Sequence, residues 1–197
     1  MVFGKLVFSK SSISYYHQRV KLGPVLEKTN VYGSILHSFA TLIFKEQFKI
    51  KDDNFYDIFI NPPEGCVIYN VKGIFNNKTT EFVVNKLEEP VFNGYYDSNS
   101  NSDAVTLTLG RIPSNETVTI EITCTFTATL TSQKSFTFDF PIEQSLLKTK
   151  FATDINLVDY TEHQKVTTSQ GKIKIESNHL LISPFDLTHN FSLTFEY

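Results

Sequence analysis

The chain has 197 residues, a mass of 22.5 kDa, 41% hydrophobic residues and a formal net charge of −3, so it is long enough to bury a substantial apolar core. Its lysines and arginines are scattered along the sequence, which excludes the basic stripe that a nucleic-acid-binding surface needs. The composition is that of an ordinary globular protein.

The segments in the first part of the chain have the composition and length of β-strands. Residues 34–50 (SILHSFATLIFKEQFKI) are rich in β-branched and aromatic side chains, which favour strands. Residues 56–63 (YDIFINPP) end at a pair of prolines, and residues 66–75 (CVIYNVKGIF) end at the turn sequence NNKT. Residues 104–110 (AVTLTLG) alternate between polar and apolar side chains. All four segments are therefore predicted to be strands.

The clearest periodic pattern is TVTIEITCTFTATL, residues 117–130, in which every second residue is apolar. This alternation predicts one long strand with one face buried. Residues 135–142 (SFTFDFPI) repeat the pattern, and the short TLTSQK segment before them predicts a hairpin. Pro141 has no backbone donor and marks the end of that strand. The face predicted to be buried consists of Val118, Ile120, Ile122, Cys124, Phe126, Ala128 and Leu130.

Shorter alternating segments follow at residues 172–177 (KIKIES) and 191–197 (FSLTFEY), and both are predicted to be strands. The two helical candidates, residues 83–89 and 141–148, are too short to form convincing helices. About ten to twelve strands with turn residues between them predict an all-β protein, an antiparallel β-sandwich with a second small sheet packed on it.

A shift in composition divides the chain into two parts. Residues 1–145 are rich in Phe and Thr and are predicted to form the sandwich. Residues 146–197 offer too few strands for an independent domain, so they are predicted to pack on the sandwich and to lead into a following domain. No apolar run approaches the ~20 residues that span a bilayer, and the N-terminus lacks the apolar core of a signal peptide. These features predict a cytoplasmic protein without a membrane partner.

The segment DSNSNSD, residues 97–103, spaces oxygen-bearing side chains as a calcium-binding loop does. The match fails at two positions, because Ser102 stands where the turn needs glycine and Thr108 where a bidentate glutamate is needed. The two cysteines, Cys66 and Cys124, lack the spacing of a zinc site, and the alternation predicts that Cys124 is a small buried apolar residue. The sequence therefore predicts a flexible polar loop, no metal ion and no cofactor.

Motifs for catalysis are absent from the sequence. It shows no nucleophile motif, no glycine-rich phosphate loop and no pair of histidines at metal-ligand spacing. These absences predict that the protein is not an enzyme. Because catalytic residues can come from distant parts of a chain, the alternative is a hydrolase or transferase whose site is assembled from His37, Asp57, Glu64 or His163.

The polar face of the long predicted strand is a candidate interaction surface. It carries threonine at most of its positions, and a flat face of this kind can dock a partner or border an edge for strand addition. The residues selected as the candidate surface are Thr119, Thr123 and Thr125.

One set of segments follows the order of a known family. The segment LGRIPSNETVTIEI, residues 109–122, joins a Gly-x-Ile-Pro turn to an alternating strand. Before it come a strand ending at residues 59–62 (FINP) and the strand at 66–75, and after it comes an apolar strand ending at residues 138–141 (FDFP). In this order, residues 25–142 resemble the vault protein inter-alpha-trypsin (VIT) domain family. The chain departs from the family before the Gly-x-Ile-Pro turn, where a helical segment is replaced by KLEEPVFNGYYDSNSNSD, with Pro90 interrupting any helix.

The resemblance implies a function as well as a fold. VIT domains are non-catalytic β-sandwich modules that precede a von Willebrand factor type A domain, and residues 185–197 (FDLTHNFSLTFEY) are similar to the strands that lead into that domain. The resemblance therefore implies a protein–protein interaction or scaffolding module. Its expected partner is an unidentified protein, with an adjoining type A domain as one candidate.

A further alternative is a secreted, matrix-associated protein, as some members of the VIT family are. Three sequons for N-glycosylation would fit that alternative, although chance alone produces about as many in a chain with this much Asn, Ser and Thr. They begin at Asn77, Asn115 and Asn190.

Overall fold

The computed structural model describes residues 7–10, 25–60, 66–76, 78–83, 105–132, 134–140, 150–158, 160, 164–186, 188 and 191–196. Within these ranges the backbone forms strands and turns and no helix. The strands are β1 (Val7–Lys10), β2 (Val25–Leu36), β3 (Phe39–Lys49), β4 (Asn54–Ile60), β5 (Cys66–Phe75), β6 (Lys78–Val83), β7 (Val105–Ile112), β8 (Thr117–Thr127), β9 (Thr129–Ser132), β10 (Ser135–Phe140), β11 (Lys150–Val158), β12 (Lys165–Thr168), β13 (Ile173–Glu176), β14 (His179–Asp186) and β15 (Phe191–Glu196).

These strands form three sheets. The main sheet has eight strands in the order β13-β14-β11-β2-β3-β8-β5-β6, and the small sheet has four in the order β12-β15-β10-β9. A third sheet has the order β1-β4-β7. The main and small sheets pack together around one apolar core. The predicted all-β fold class is thereby confirmed, with one difference: β2 and β11 run parallel, so the main sheet is mixed.

The centre of the main sheet explains why these residues form strands. In β3 the even-numbered residues from Ala40 to Phe48 are buried, and in β8 the same is true from Val118 to Phe126. The two strands pair antiparallel with Phe44 opposite Ile122, so both apolar faces point to the same side. Burying a side chain of this size stabilises the fold by about 1.5–3 kcal/mol. The predicted buried face of β8 is confirmed as far as Phe126.

Beyond Phe126 the predicted long strand is wrong, because the chain changes sheets at Ala128. Strand β8 ends at Thr127 in the main sheet, and β9 begins at Thr129 in the small sheet. The Ala128 N–H still donates to the Ser38 carbonyl at 2.8 Å, one residue beyond the Phe39–Thr127 pair of β3 and β8. The alternation continues through this break, so it assigned Leu130 to the buried face, whereas Leu130 is 73% exposed. The predicted hairpin is formed by the short β9, which pairs with β10.

Phenylalanine rings make up much of the contact between the two sheets. Within the small sheet, Phe136 of β10 stacks on Phe195 of β15 with ring centroids 5.0 Å apart. Phe191 of β15 reaches the main sheet, where its ring lies 4.7 Å from that of Phe151 in β11. Aromatic pairs at such distances contribute beyond the area that they bury. Both Phe151 and Phe191 are 1% exposed.

Residues 34–50, which read as a single strand segment in the sequence, form the end of β2, a turn and β3. Leu36 and Phe39 face each other, so only His37 and Ser38 lie in the turn. His37 has a φ of 52°, a left-handed conformation that two-residue hairpins need and that is usually supplied by Gly or Asn. The turn contains neither residue, which is why the composition did not indicate it.

One carboxylate lies inside the core of the main sheet. Glu46 occupies the buried face of β3 between Phe44 and Phe48 and is 0% exposed. Directly opposite it on β2 lies Thr29, which is also 0% exposed. Glu46 and Thr29 therefore form a polar row within an otherwise apolar layer. A buried carboxyl group is costly without polar neighbours, and Thr29 is one such neighbour.

The strands after residue 150 are divided between the main and small sheets. Strands β11, β13 and β14 extend the main sheet beyond β2, while β12 and β15 belong to the small sheet. The division of the chain near residue 145 stays a prediction. The helical candidate at 141–148 and all but the first residue of the candidate at 83–89 lie outside the described residues.

An exposed ion pair joins the turn before β4 to β7. The Arg111 Nε and Nη2 groups donate to Asp53 Oδ1 and Oδ2 at 2.9 and 3.0 Å. These hydrogen bonds lower the pKa of Asp53 below its ordinary value of 3.8. The ion pair therefore contributes to stability at pH values above the ordinary Asp53 pKa of 3.8. This contribution is lost as the pH falls through the lowered pKa of Asp53 in the folded protein.

Replacing Arg111 with glutamine should return the pKa of Asp53 toward 3.8, because the donors that favour the carboxylate are removed. An NMR titration of the Asp53 side-chain carboxyl carbon measures the change. The matched control is Lys51→Gln, which removes a positive charge from the same turn and should leave the Asp53 titration nearly unchanged. Equal titrations in wild type and Arg111→Gln would show that the ion pair does not form in solution.

Candidate interaction surface

The side of the main sheet that faces away from the core carries a group of exposed apolar side chains. The odd-numbered residues of β3 point to this side, and the pairing registers align them with β2 and β8. Tyr32 lies opposite Ile43, which lies opposite Thr123. One row further along, Thr41 lies opposite Thr125. This alignment places apolar and threonine side chains on one continuous surface.

Six of the exposed apolar residues on this surface, together with the threonines between them, are called the outer patch. Phe39 is 62% exposed and Val67 is 64% exposed, whereas residues of their type are usually buried. The six side chains expose on the order of 500 Å², which is the size of apolar patch that often marks a binding site. They are Tyr32, Leu36, Phe39, Ile43, Val67 and Val158.

The end of the sheet where Val158, Leu36 and Phe39 lie in one row is the most apolar part of the outer patch. Leu36 and Val158 are paired in parallel across β2 and β11, and each is at least 40% exposed. Strand β5 forms the opposite border, where Val67 pairs with Thr125. A bulge next to Val67 inserts Tyr69, which is 49% exposed.

The three threonines that the sequence selected lie on this same side. Thr125 is exposed, while Thr119 and Thr123 are partly buried between their neighbours. Thr123 and Thr125 lie within the outer patch, beside Ile43 and Thr41. Thr119 lies two rows away, beside Gln47. Their role in binding stays a prediction, but two of the three are now placed among exposed apolar side chains that sequence reasoning missed.

Two pairs of hydrogen-bonded polar side chains border the outer patch. Lys45 donates to Glu121 Oε1 at 2.7 Å, and this pair separates Thr119 from Thr123. On the other side, His179 Nδ1 lies 3.0 Å from Asp154 Oδ1, and Asp154 is opposite Tyr32. Pairs as exposed as these add little to stability. They leave the patch itself largely neutral.

The residues of the alternative enzyme site are only partly described. His37 is exposed in the turn between β2 and β3, and Asp57 lies in β4 opposite Thr108 of β7. Glu64 and His163 lie outside the described residues, so the alternative stays a hypothesis. No group of three or more His, Cys, Asp or Glu in the described part of the chain is placed to hold a metal ion. The DSNSNSD segment also lies outside that part.

The structure also bears on the glycosylation sequons and on membrane-spanning helices. Of the three sequons, Asn115 is exposed in the turn between β7 and β8 with a φ of 64°, while Asn77 and Asn190 lie outside the described residues. The described residues form no helix, so none of them forms a helix that could span a membrane.

No protein-family model and no curated protein matches this chain. Solved structures that share its fold include a candidate nutrient-binding protein from Legionella pneumophila, with a TM-score of 0.50, 12% sequence identity, and coverage of 89% of this chain and 67% of that one. They also include an M1 zinc metallopeptidase from Deinococcus radiodurans, with a TM-score of 0.52, 10% identity, and coverage of 95% and 44%.

A two-domain M1 zinc metallopeptidase bound to L-tryptophan matches with a TM-score of 0.53, 10% identity, and coverage of 95% of this chain and 45% of that one. The chain thus spans less than half the length of the metallopeptidases that it matches. At these identities the likeness shows the fold alone.

Proposed function

We propose that this chain is a non-catalytic protein-interaction module and that the outer patch is the surface that binds its partner. The observation that carries the proposal is the exposure of six large apolar side chains on one face of the main sheet. Isolated exposed apolar residues are normal, but a continuous group of them is typical of an interaction site. Water is displaced from such a surface when a partner covers it, which favours association.

The other observations fit a module that works as part of a larger assembly. The matched metallopeptidases carry the shared fold in less than half of their length, and some are described as two-domain proteins. The resemblance to the VIT family makes an adjoining von Willebrand factor type A domain the first candidate for the partner. Tyr32 and the threonines of the patch can offer hydroxyl groups to the partner's polar atoms.

The test replaces one apolar side chain of the outer patch with a charge. The variant Phe39→Glu should weaken binding about tenfold or more, because the partner would bury an unpaired carboxylate. Capture from extract of the native cells identifies the partner, and titration calorimetry with the purified partner then measures the dissociation constant. A triple variant with alanine at Thr119, Thr123 and Thr125 should weaken binding less, since it removes hydroxyl groups and little apolar area.

The matched control is Leu130→Glu, which makes the same chemical change at an apolar residue that is 73% exposed but lies in β9 of the small sheet. It should bind as wild type does. Equal weakening by Phe39→Glu and Leu130→Glu, or no weakening by either, would place the binding surface elsewhere. Unfolding curves of all variants must coincide with wild type before binding is compared.

A further inference from the structure

The two cysteines of the chain lie close together on neighbouring strands of the main sheet. Cys66 is the first residue of β5 and lies opposite Phe126 of β8, while Cys124 of β8 lies opposite Ile68 of β5. The two thiols are therefore diagonal neighbours, and both belong to the side of the sheet that faces the core. They are 58 positions apart in sequence, so their proximity is a product of the fold.

The two thiols differ in how accessible they are to solvent. Cys124 is 0% exposed, and its Sγ lies 3.5 Å from the Leu42 carbonyl oxygen, to which it donates. Burial and the adjacent Cys66 thiol raise the pKa of the Cys124 thiol. Cys66 is only partly buried at the edge of the core. A reagent from solvent therefore meets Cys66 first, and Cys124 is reached through it.

From this geometry we infer that Cys66 and Cys124 form a reversible thiol–disulfide site whose oxidant is a low-molecular-weight disulfide. Cys66 is the entry thiol and Cys124 the resolving thiol. The inference rests on the positions of the two cysteines and does not depend on the outer patch binding a partner.

The reaction takes place in two exchanges. The Cys66 thiolate attacks one sulfur of the small disulfide, forming a mixed disulfide on Cys66 and releasing one small thiol. The Cys124 sulfur then attacks Cys66 Sγ, its proton passes to the departing sulfur, and a second small thiol leaves. The protein loses two hydrogens and is oxidised by two electrons, and the small disulfide is reduced to two thiols.

The sheet geometry predicts that the bond forms with strain. Diagonal neighbours in an antiparallel pair have Cα atoms about 7–8 Å apart, whereas a disulfide joins Cα atoms no more than about 6.8 Å apart. The strands must therefore approach each other slightly at this point. The bulge between Ile68 and Asn70 lies just beyond Cys66 and gives β5 an irregular backbone that can adjust. A strained disulfide is more easily reduced, which makes the site reversible.

Oxidation would link β5 covalently to β8 beside the outer patch. Val67 and Thr125 pair directly between the two cysteines and point to the opposite side of the sheet. The bond would also close the segment from residue 66 to residue 124 into a covalent loop, which restricts the unfolded chain. The oxidised protein is therefore expected to unfold at a temperature higher by about 5 °C.

The test treats the folded 197-residue protein with oxidised glutathione and follows its intact mass. Wild type should lose two hydrogens, and peptide mapping should join Cys66 to Cys124. The variant Cys124→Ala should instead accumulate a stable glutathione adduct on Cys66, while Cys66→Ser should remain unmodified because Cys124 is buried. Reduced glutathione should restore both thiols in wild type.

Several results would overturn the inference. Accumulation of the glutathione adduct in wild type would show that Cys124 does not resolve it, and a covalent dimer on a non-reducing gel would show that Cys66 pairs between molecules. A glutathione adduct that forms on Cys124 in Cys66→Ser as fast as wild type is oxidised would contradict the assignment of Cys66 as the entry thiol.

Discussion

Replacing Gly33 with alanine is expected to destabilise the protein by about 4 kcal/mol or more. Gly33 lies in β2 with a φ of 142°, a conformation that side chains other than glycine's rarely adopt. A Cβ atom at this position would lie 2.1 Å from the Thr41 carbonyl oxygen and 2.9 Å from the Leu42 Cα. Both are backbone atoms of β3, so the clash is relieved only by moving one strand away from the other.

The position of Gly33 within the sheet makes that movement costly. It pairs with Leu42 of β3 on one side and with Ile155 of β11 on the other. Displacing β2 there disturbs both the antiparallel and the parallel ladder, in the middle of the main sheet. Urea unfolding followed by circular dichroism measures the change, provided that the variant still folds.

The matched control is Gly171→Ala, at a second glycine with a positive φ, 80°. A Cβ there would lie 2.8 Å from Ile182 Cγ2 and from Phe185 Cε1, which are side-chain atoms and can shift. Its expected cost is smaller, about 1–2 kcal/mol. Equal unfolding midpoints for Gly33→Ala and wild type would show that β2 does not adopt this backbone conformation.

The sequence shows where strands lie and which of their faces is buried, but it does not show which strands pair with each other. Period-two alternation predicted the buried face of β8 up to Phe126, because one residue in two faces the core wherever a strand lies on it. The same alternation cannot show that the chain crosses to another sheet at Ala128, since the backbone stays extended there. Likewise β11 pairs in parallel with β2, more than 100 residues earlier, and no local pattern encodes that contact.

The outer patch could be predicted only in part, for a reason that lies in β3. Apart from Thr41, its sequence is apolar on both faces from Phe39 to Phe44, and such a run usually indicates a strand covered on both sides. The structure covers one side and leaves Phe39 and Ile43 exposed. The threonine face of β8 was visible as a polar row, whereas its apolar border on β3 looked like core.

The same strand contains a second feature that the sequence shows. Continuing the alternation of β3 places Glu46 on the buried face between two phenylalanines. A carboxylate on an apolar face breaks the pattern, and here it marks the buried polar row with Thr29. The period of two places Glu46 on the buried face from the sequence alone, because only the face of the strand, and not its partner, is needed.

Replacing Phe191 with alanine should cost about 3–5 kcal/mol, because the ring fills space between the main and small sheets. Phe191 is 1% exposed in β15, and its ring centroid lies 4.7 Å from Phe151 in β11 and 6.3 Å from Phe185 in β14. Removing the ring leaves a cavity where the two sheets meet and removes its contacts with Phe151 and Phe185. The sheets have few ways to close that space, since their backbones are held by their own ladders.

The control for Phe191→Ala is Phe39→Ala, which deletes the same ring from a side chain that is 62% exposed and should change the free energy of unfolding by no more than about 0.5 kcal/mol. Urea unfolding should be followed by two probes, tyrosine fluorescence and far-ultraviolet circular dichroism. If the Phe191 contact couples the sheets, both probes should show one transition in wild type, at a lower urea concentration in Phe191→Ala. Two separate transitions in wild type would mean that the two sheets unfold independently. The Phe191 ring would then stabilise only one of the two sheets.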